Sequence, residues 1–174
     1  MWTINRHYRN FEDALTVERT DIPLPRPHEP KVVVPISRLD RAALQALAYA
    51  RSISHDVTAV HVTDDSEAAH HLQARWDKLE FNVPLVIIES PYRALIQPLL
   101  AYIDAADKQD PHRPVTVVLS QFVPSNLWEF ILHNQTTLRL KVHLFFRRNT
   151  VVVDVPYRAE SPLATEGRLI KQGQ

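Results

Sequence analysis

Short hydrophobic runs recur along this chain, separated by longer segments whose apolar residues have helical spacing. The runs are rich in Val, Ile and Leu and cover residues 31–36, 57–62, 84–88, 115–119 and 150–155. Runs without polar alternation are typical of strands that are buried on both faces. The pattern therefore predicts five buried strands.

Amphipathic segments fill three of the intervals between these runs. Residues 39–54, 64–81 and 93–107 place apolar side chains three and four positions apart, as on one face of a helix. Pro98 predicts either a kink in the third helix or its true start. Strands that alternate with helices in this way predict βαβ units, and so a parallel sheet with helices on both faces.

The segment at residues 127–147 fits two patterns. Leu138, Leu140 and Val142 alternate with polar residues as in a strand, whereas Ile131 and Leu138 also belong to a stripe with helical spacing. The segment is too long for an ordinary strand, and a parallel connection to the last strand requires a crossover. We therefore predict a helix here.

The two ends of the chain differ from its middle. Residues 1–19 have the apolar spacing of an amphipathic helix, and residues 20–30 hold four prolines, which predicts a stiff extended connector. The compact domain is expected at residues 31–157, and residues 158–174 form a polar tail. No stretch reaches the roughly 20 apolar residues of a spanning helix. Charged residues interrupt the first part of the sequence, so we do not expect a signal peptide there. We expect a soluble, cytosolic domain.

Composition excludes several classes of function. The chain has 20 Lys and Arg against 20 Asp and Glu, so it lacks the basic surplus of most nucleic-acid-binding proteins. It has no cysteine, which excludes disulfides, thiolate catalysis and iron–sulfur clusters. Its two glycines are Gly167 and Gly173, so no glycine-rich phosphate loop or nucleophile elbow precedes them.

Ligands of parallel sheets bind at the carboxyl ends of the strands, where the strand order reverses. The residues that follow the first and fourth predicted strands are therefore candidates, together with the end of the second; they are Ile36, Ser37, Arg38, Asp40, Val62, Ser120 and Gln121. Ser37, Arg38 and Asp40 open a helix, whose N-terminus favours an anion. A purely structural interpretation is that Ser37 caps this helix and Asp40 stabilises its first turn.

Other constellations favour neither an enzyme nor a metal site. Glu67 and His71 have a spacing that could hold a metal, but the sequence supplies no further ligands for a four-coordinate site. A hydrolase triad could in principle use Ser120, His61 or His133, and Asp154, but the strained elbow that it requires would have no glycines here. We expect neither catalysis nor a metal site.

A basic cluster lies near the end of the predicted domain. It comprises Arg139, Lys141, Arg147 and Arg148, and the only acid between residues 127 and 148 is Glu129. A solvated helix face is the simplest interpretation, and lipid headgroups, a partner or phosphates are the alternatives.

Three strings in the chain resemble sequences of known protein families. VVVPISRLDRAALQALAYARSISHDVTAVHVTDD resembles the opening of universal stress protein domains. IIESPYRALIQPLLAYID and VVLSQFVPSNLWEFILHNQTTLRLKVHLFFRRNTVVVDVPYR resemble the cytosolic C-terminal domain of bacterial APC-superfamily permeases, the group that includes KUP-like potassium importers. The resemblance runs from about Lys31 to Arg158, and ESPYR, HNQT and DVPY are its most specific parts.

The resemblance implies a fold, a location and partners. The fold is a universal-stress-protein-like (flavodoxin-like) α/β domain with a parallel five-stranded sheet in the order 3-2-1-4-5. Residues 1–19 then become a juxtamembrane helix, and the domain lies at the cytoplasmic face of the membrane beside the membrane domain of a parent permease. Such domains often form homodimers through the last strand, here Val151, Val152, Val153, Asp154 and Val155.

The resemblance also implies a regulatory function, with an adenine nucleotide such as cyclic di-AMP as ligand. Adenine and ribose would lie near Ile36, Asp40 and Val62, and the phosphates near Ser37, Arg38, Ser120 or Gln121. The chain departs from ATP-binding universal stress proteins, because SQFVPSNLWEF replaces their glycine-rich loop after the fourth strand. A ligand-free dimerisation module and a stand-alone universal stress protein without ATP binding remain the alternatives.

Overall fold

The fold is built on a five-stranded sheet in which every strand pair is parallel. The computed structural model describes residues 28–79, 81–90, 94–122 and 135–157. Its strands are β1 (Lys31–Pro35), β2 (Val57–Thr63), β3 (Leu85–Glu89), β4 (Val115–Phe122) and β5 (Thr150–Tyr157). They are arranged in the order β3-β2-β1-β4-β5, which confirms the predicted α/β fold class and strand order.

Four described helices connect the strands. They are α1 (Arg41–Ile53), α2 (Ser66–Asp77), α3 (Ile96–Gln109) and α4 (Gln135–Phe145). Helix α4 confirms the helical prediction for its own residues, while residues 127–134 lie outside the described part of the chain. The predictions for residues 1–27 and 158–174 also lie outside it.

Each face of the sheet carries its own core, because successive side chains of a strand point to opposite faces. On one face, Val34 and Val118 pack with α1 and α2 residues such as Leu47 and Trp76. On the other face, the core is made by β1, β2 and β4 together with α3 and α4, and includes Ile103. Polar alternation is absent from the central strands because both faces are covered.

Two helices begin at side-chain caps. The carboxylate of Asp40 accepts a hydrogen bond from Ala43 N at 2.9 Å, so Asp40 is the N-cap of α1. The interpretation of Ser37 as the cap is wrong, because the helix begins at Arg41, too far along the chain for Ser37 to reach its first turn. Asp65 caps α2 in the same way through the amides of Glu67 and Ala68.

Pro98 lies in the first turn of α3, which begins at Ile96. A proline there has no cost in hydrogen bonds, since the first amides of a helix have no partner within it. The alternative that Pro98 marks the start of the helix is thus the correct one.

The amino ends of the strands are tied together by side chains. Arg113, which precedes β4, donates from Nε to the carbonyl oxygen of Glu29 at 2.8 Å and pairs with Asp56 at 3.0 Å. The Glu29 carboxylate accepts from Ser54 Oγ at 3.1 Å and from the backbone amide of His55. These contacts fix the entry of the chain into β1, and we call Glu29, Ser54, Asp56 and Arg113 the entry clamp.

Among the residues that the structure describes, no helix combines the length and the apolar character required to cross a bilayer.

Candidate functional site

The strand order reverses between β1 and β4, and the candidate site lies at the carboxyl ends of these two strands. Lys31 pairs with Val115 and Val33 with Val117. From that register, β1 continues by two residues to Pro35, whereas β4 continues by five to Phe122 beside β5. The longer β4 and the departing chain of β1 therefore form a rim at the topological switch point.

The loop after β1 supplies one side of this rim. Ile36 is buried, and its carbonyl oxygen accepts a hydrogen bond from Nδ1 of His61 at 2.9 Å. Ser37 is exposed, and the side chain of Arg38 is 80% exposed while its Nε donates to Asp40 Oδ2 at 2.7 Å. The loop thus places Ile36, Ser37 and Asp40 beside the solvent-exposed guanidinium group of Arg38.

Asp40 is committed to two partners. Partial burial raises its pKa, but the hydrogen bond from Ala43 N and the hydrogen bond and charge of Arg38 together outweigh burial, so the pKa lies below its ordinary value of 3.8. The carboxylate is therefore ionised at neutral pH. It already occupies the N-terminus of α1, so an incoming anion would depend on Arg38 rather than on the helix end.

The end of β4 supplies the other side. Ser120 and Gln121 are both half-buried. Gln121 Oε1 accepts from Lys141 Nζ at 3.2 Å, and the same ammonium group pairs with Asp154 at 2.8 Å. Lys141 comes from α4, so a second cation lies at this rim.

The predicted residues divide between the two faces of the sheet. Ile36 packs into the core under α1 and α2, and Ser120 shares that face because it is two residues beyond Val118. Val62 packs instead against the core under α3 and α4, the face from which Lys141 reaches Gln121. That adenine and ribose lie near Ile36, Asp40 and Val62 stays a prediction, and the side chains of Ile36 and Val62 face opposite sides of the sheet.

Sequence reasoning missed two residues at this rim. His61 is not among the predicted site residues, and it is the residue that binds the Ile36 carbonyl oxygen. Lys141 was assigned only to the basic cluster. The helix predicted over residues 127–147 could have indicated Lys141, because a helix that follows β4 directly can place this residue near the end of that strand.

The basic cluster is partly neutralised. Lys141 pairs with Asp154, and Arg147 forms two hydrogen bonds of 2.8 Å with the carboxylate of Asp104. That arrangement lowers the pKa of Asp104, chiefly through the hydrogen bond from Arg147, and raises the pKa of Arg147 by the same contact. Two of the four cations are therefore structural.

Strand β5 lies at the edge of the sheet, as the dimer prediction requires. Its side chains are unequally available: Val155 is buried, and Val152 and Val153 pack against the two cores. Val151 is 47% exposed. What this edge offers a second chain is its outer backbone together with the exposed side chains of Val151, Pro156 and Asp154, the last of which is bound by Lys141.

A cavity of about 420 Å³ lies at the opposite, amino end of the sheet. Its lining includes Glu29, Arg51 and His55. The hydrogen bonds from His55, first the one from its backbone amide, hold the pKa of Glu29 below its ordinary value of 4.5. This cavity belongs to the entry of the chain and lies away from the rim.

The potential metal pair is an exposed side-chain contact. His71 Nε2 and Glu67 Oε1 are 3.8 Å apart on the surface of α2. Within the described ranges, no group of three or more His, Asp or Glu residues is placed to hold a metal ion.

The fold and the rim define the class of this protein: a doubly wound α/β domain whose glycine-free switch point is flanked by two ion pairs, Arg38–Asp40 and Lys141–Asp154. Comparison with known proteins gives the family. The chain belongs to the KimA potassium transporter C-terminal domain family, which matches residues 26–157.

The chain is also similar to a curated relative, the potassium transporter KimA of Bacillus subtilis (strain 168). The two are 32% identical over 162 residues, which cover 90% of this chain and 26% of the relative. The chain thus spans about a quarter of the length of that transporter. The resemblance to a C-terminal domain of potassium importers is confirmed at the level of this family.

Proposed function

We propose that this chain is the regulatory domain of a potassium transporter, held at the cytoplasmic face of the membrane beside the transporter's membrane domain. The family match over residues 26–157 is the observation that carries this proposal. The fold agrees with it, because a sheet covered on both faces with a polar rim is suited to binding a regulator rather than to conducting an ion.

The regulator that we propose is an adenine nucleotide such as cyclic di-AMP, bound at the rim. Arg38 and Lys141 lie on its two sides, and each would exchange its carboxylate partner, Asp40 or Asp154, for a phosphate of the nucleotide. Ser37, Ser120 and Gln121 would serve as hydrogen-bonding groups. Ile36 and Asp40 form the floor beside α1, and Val62 takes part through its backbone. A triphosphate is disfavoured, since the chain has no glycine before Gly167 with which to wrap it.

Titration calorimetry and thermal unfolding of the chain with cyclic di-AMP, AMP and ATP test this site. We expect heat of binding and a raised Tm with cyclic di-AMP, because a ligand that binds only the folded state stabilises it. Arg38→Ala should weaken binding, whereas Arg75→Ala, on an exposed face of α2, is the matched control. Flat titrations with all three nucleotides would instead favour the ligand-free dimerisation module.

We further propose that β5 pairs with its copy in a homodimer. An exposed strand edge presents unpaired backbone groups and invites such pairing. Val151→Lys is a sharper probe than Val152→Lys, because Val152 also packs against a core. We expect Val151→Lys to elute from a sizing column as a monomer and the control Leu79→Lys to elute as wild type. Coincident elution of wild type and Val151→Lys would discard this interface.

A further inference from the structure

Helix α4 is apolar on two opposite sides. Leu140 and Leu144 are buried against the sheet. Leu138 and Val142 lie on the outer side at 63% and 48% exposure, followed by Phe145 at 82% and Phe146 at 80%. We call these four outer residues the α4 stripe. Large apolar side chains that are exposed together mark a surface at which something binds.

The sequence segment that carries the α4 stripe has charges of one sign. Residues 130–153 contain no Asp or Glu. Lys141 and Arg147 are held by Asp154 and Asp104. Arg139 and Arg148 are exposed, and neither has a carboxylate partner within the part of the chain that the structure describes. The stripe is therefore flanked by two cations that remain available to an anionic partner.

The aromatic end of the stripe lies at the amino edge of the sheet. Helix α4 runs from the carboxyl end of β4 to the amino end of β5, so Phe145 and Phe146 lie near Asn149. Asn149 accepts a backbone hydrogen bond from Val115, which is paired with Lys31 at the start of β1. The two rings thus occupy the edge at which the preceding chain enters the domain.

We propose that the α4 stripe, with Arg139 and Arg148, docks on the surface of a bilayer that contains anionic lipids. The rings of Phe145 and Phe146 would enter the boundary between headgroups and acyl chains. The two guanidinium groups would bind lipid phosphates. Exposed aromatic residues flanked by Arg, here along α4 and in the residues directly after it, are typical of segments that lie in the membrane interface. Anionic headgroups supply the charge that the local sequence lacks.

A second copy of the chain fits this surface less well. A two-fold contact places the same patch on both sides of the interface. It would therefore bring Arg139 and Arg148 of one chain toward the same residues of the other, with no acidic residue between 130 and 153 to balance them. The proposal is independent of the rim and of nucleotide, and it adds an orienting contact to the proposed function.

Vesicle flotation of the full chain tests the proposal. Phosphatidylcholine vesicles are compared with vesicles that also contain phosphatidylglycerol. We expect binding to the second kind alone, weakened by added salt. Phe145→Ser/Phe146→Ser should lower the affinity at least about tenfold, and each of Arg139→Gln and Arg148→Gln about fivefold. Arg41→Gln/Arg75→Gln, on α1 and the exposed face of α2, is the charge-matched control and should bind as wild type.

Because all substituted side chains are exposed, the variants should keep the wild-type Tm, and this is measured alongside. Absence of flotation with anionic vesicles overturns the proposal. So does equal binding by wild type and the Phe145→Ser/Phe146→Ser variant, or an equal loss in the Arg41→Gln/Arg75→Gln control. If the serine variant changes only the elution volume on a sizing column, a second copy covers the stripe and the lipid surface is excluded.

Discussion

Helices α1 and α4 connect neighbouring parallel strands, yet they are stabilised in different ways. Helix α1 begins at the Asp40 cap and buries a continuous face that includes Ala43, Leu47 and Ala50. Helix α4 buries Leu140 and Leu144 and leaves Phe145 largely in solvent. The first helix packs its apolar face within the domain, whereas the second leaves much of its apolar surface exposed to solvent. Our proposal for the α4 stripe gives the second helix a contact to make as well as a core to fill.

The largest expected effect compares two adjacent residues of α4. Leu144→Ala removes a side chain that is 0% exposed and should cost about 2–5 kcal/mol of unfolding free energy. Phe145→Ala removes one that is 82% exposed and should stay within roughly 0.5 kcal/mol of wild type. Urea unfolding with unchanged m-values measures both. A comparable loss in Phe145→Ala would show that the domain itself covers the α4 stripe.

The next effect tests the cap of α1. Asp40→Ala leaves the amide of Ala43 without its acceptor and should cost about 1 kcal/mol. Asp40→Asn keeps a capping oxygen and should recover most of that loss. Urea midpoints of the two variants measure the difference. Equal losses in the two variants would mean that charge, and not the cap, is what α1 requires.

The smallest effect is a decline of stability in acid, to which two carboxylates contribute: Asp40, which caps α1, and Asp104 of α3, which binds Arg147 just after α4. The pKa values of Asp40 and Asp104 are lowered in the folded protein, so the unfolded chain binds protons more readily. Their stabilisation is therefore complete above the ordinary pKa of 3.8 and is lost as the pH falls through the lower folded values. Urea midpoints against pH measure it. Asp40→Asn should remove only the part of this pH dependence that Asp40 contributes. An unchanged dependence of the urea midpoint on pH in that variant would contradict this assignment.

Hydrophobic pattern was sufficient for the sheet but not for the rim. Val32, Val33 and Val34 are consecutive in the sequence, and all three are buried in the structure, as in a strand that is covered on both faces. The βαβ prediction could therefore be made from local sequence. The strand order came from the resemblance to a family. Strand ends were less predictable: β4 reaches Phe122 because it pairs with β5 as far as Tyr157, a long-range contact that no local window contains.

The candidate site was predictable in position and only partly in detail. The rule for parallel sheets placed it after β1 and β4, where Arg38 and Gln121 lie. It could not show that Val62 faces the other core, since that depends on strand register. Nor could it show that Asp40 is the cap, because Ser37 and Asp40 are both common capping residues and only the observed start of α1 separates them.

The entry clamp has a mechanical consequence. Arg113 donates a hydrogen bond to the backbone of Glu29, and Ser54 donates one to its carboxylate. These bonds make the entry into β1 a rigid connection rather than a hinge. β1 is the middle strand of the sheet. A pull or twist that arrives at Glu29 would therefore be delivered to the central strand and, along the length of β1, to the switch point at its carboxyl end.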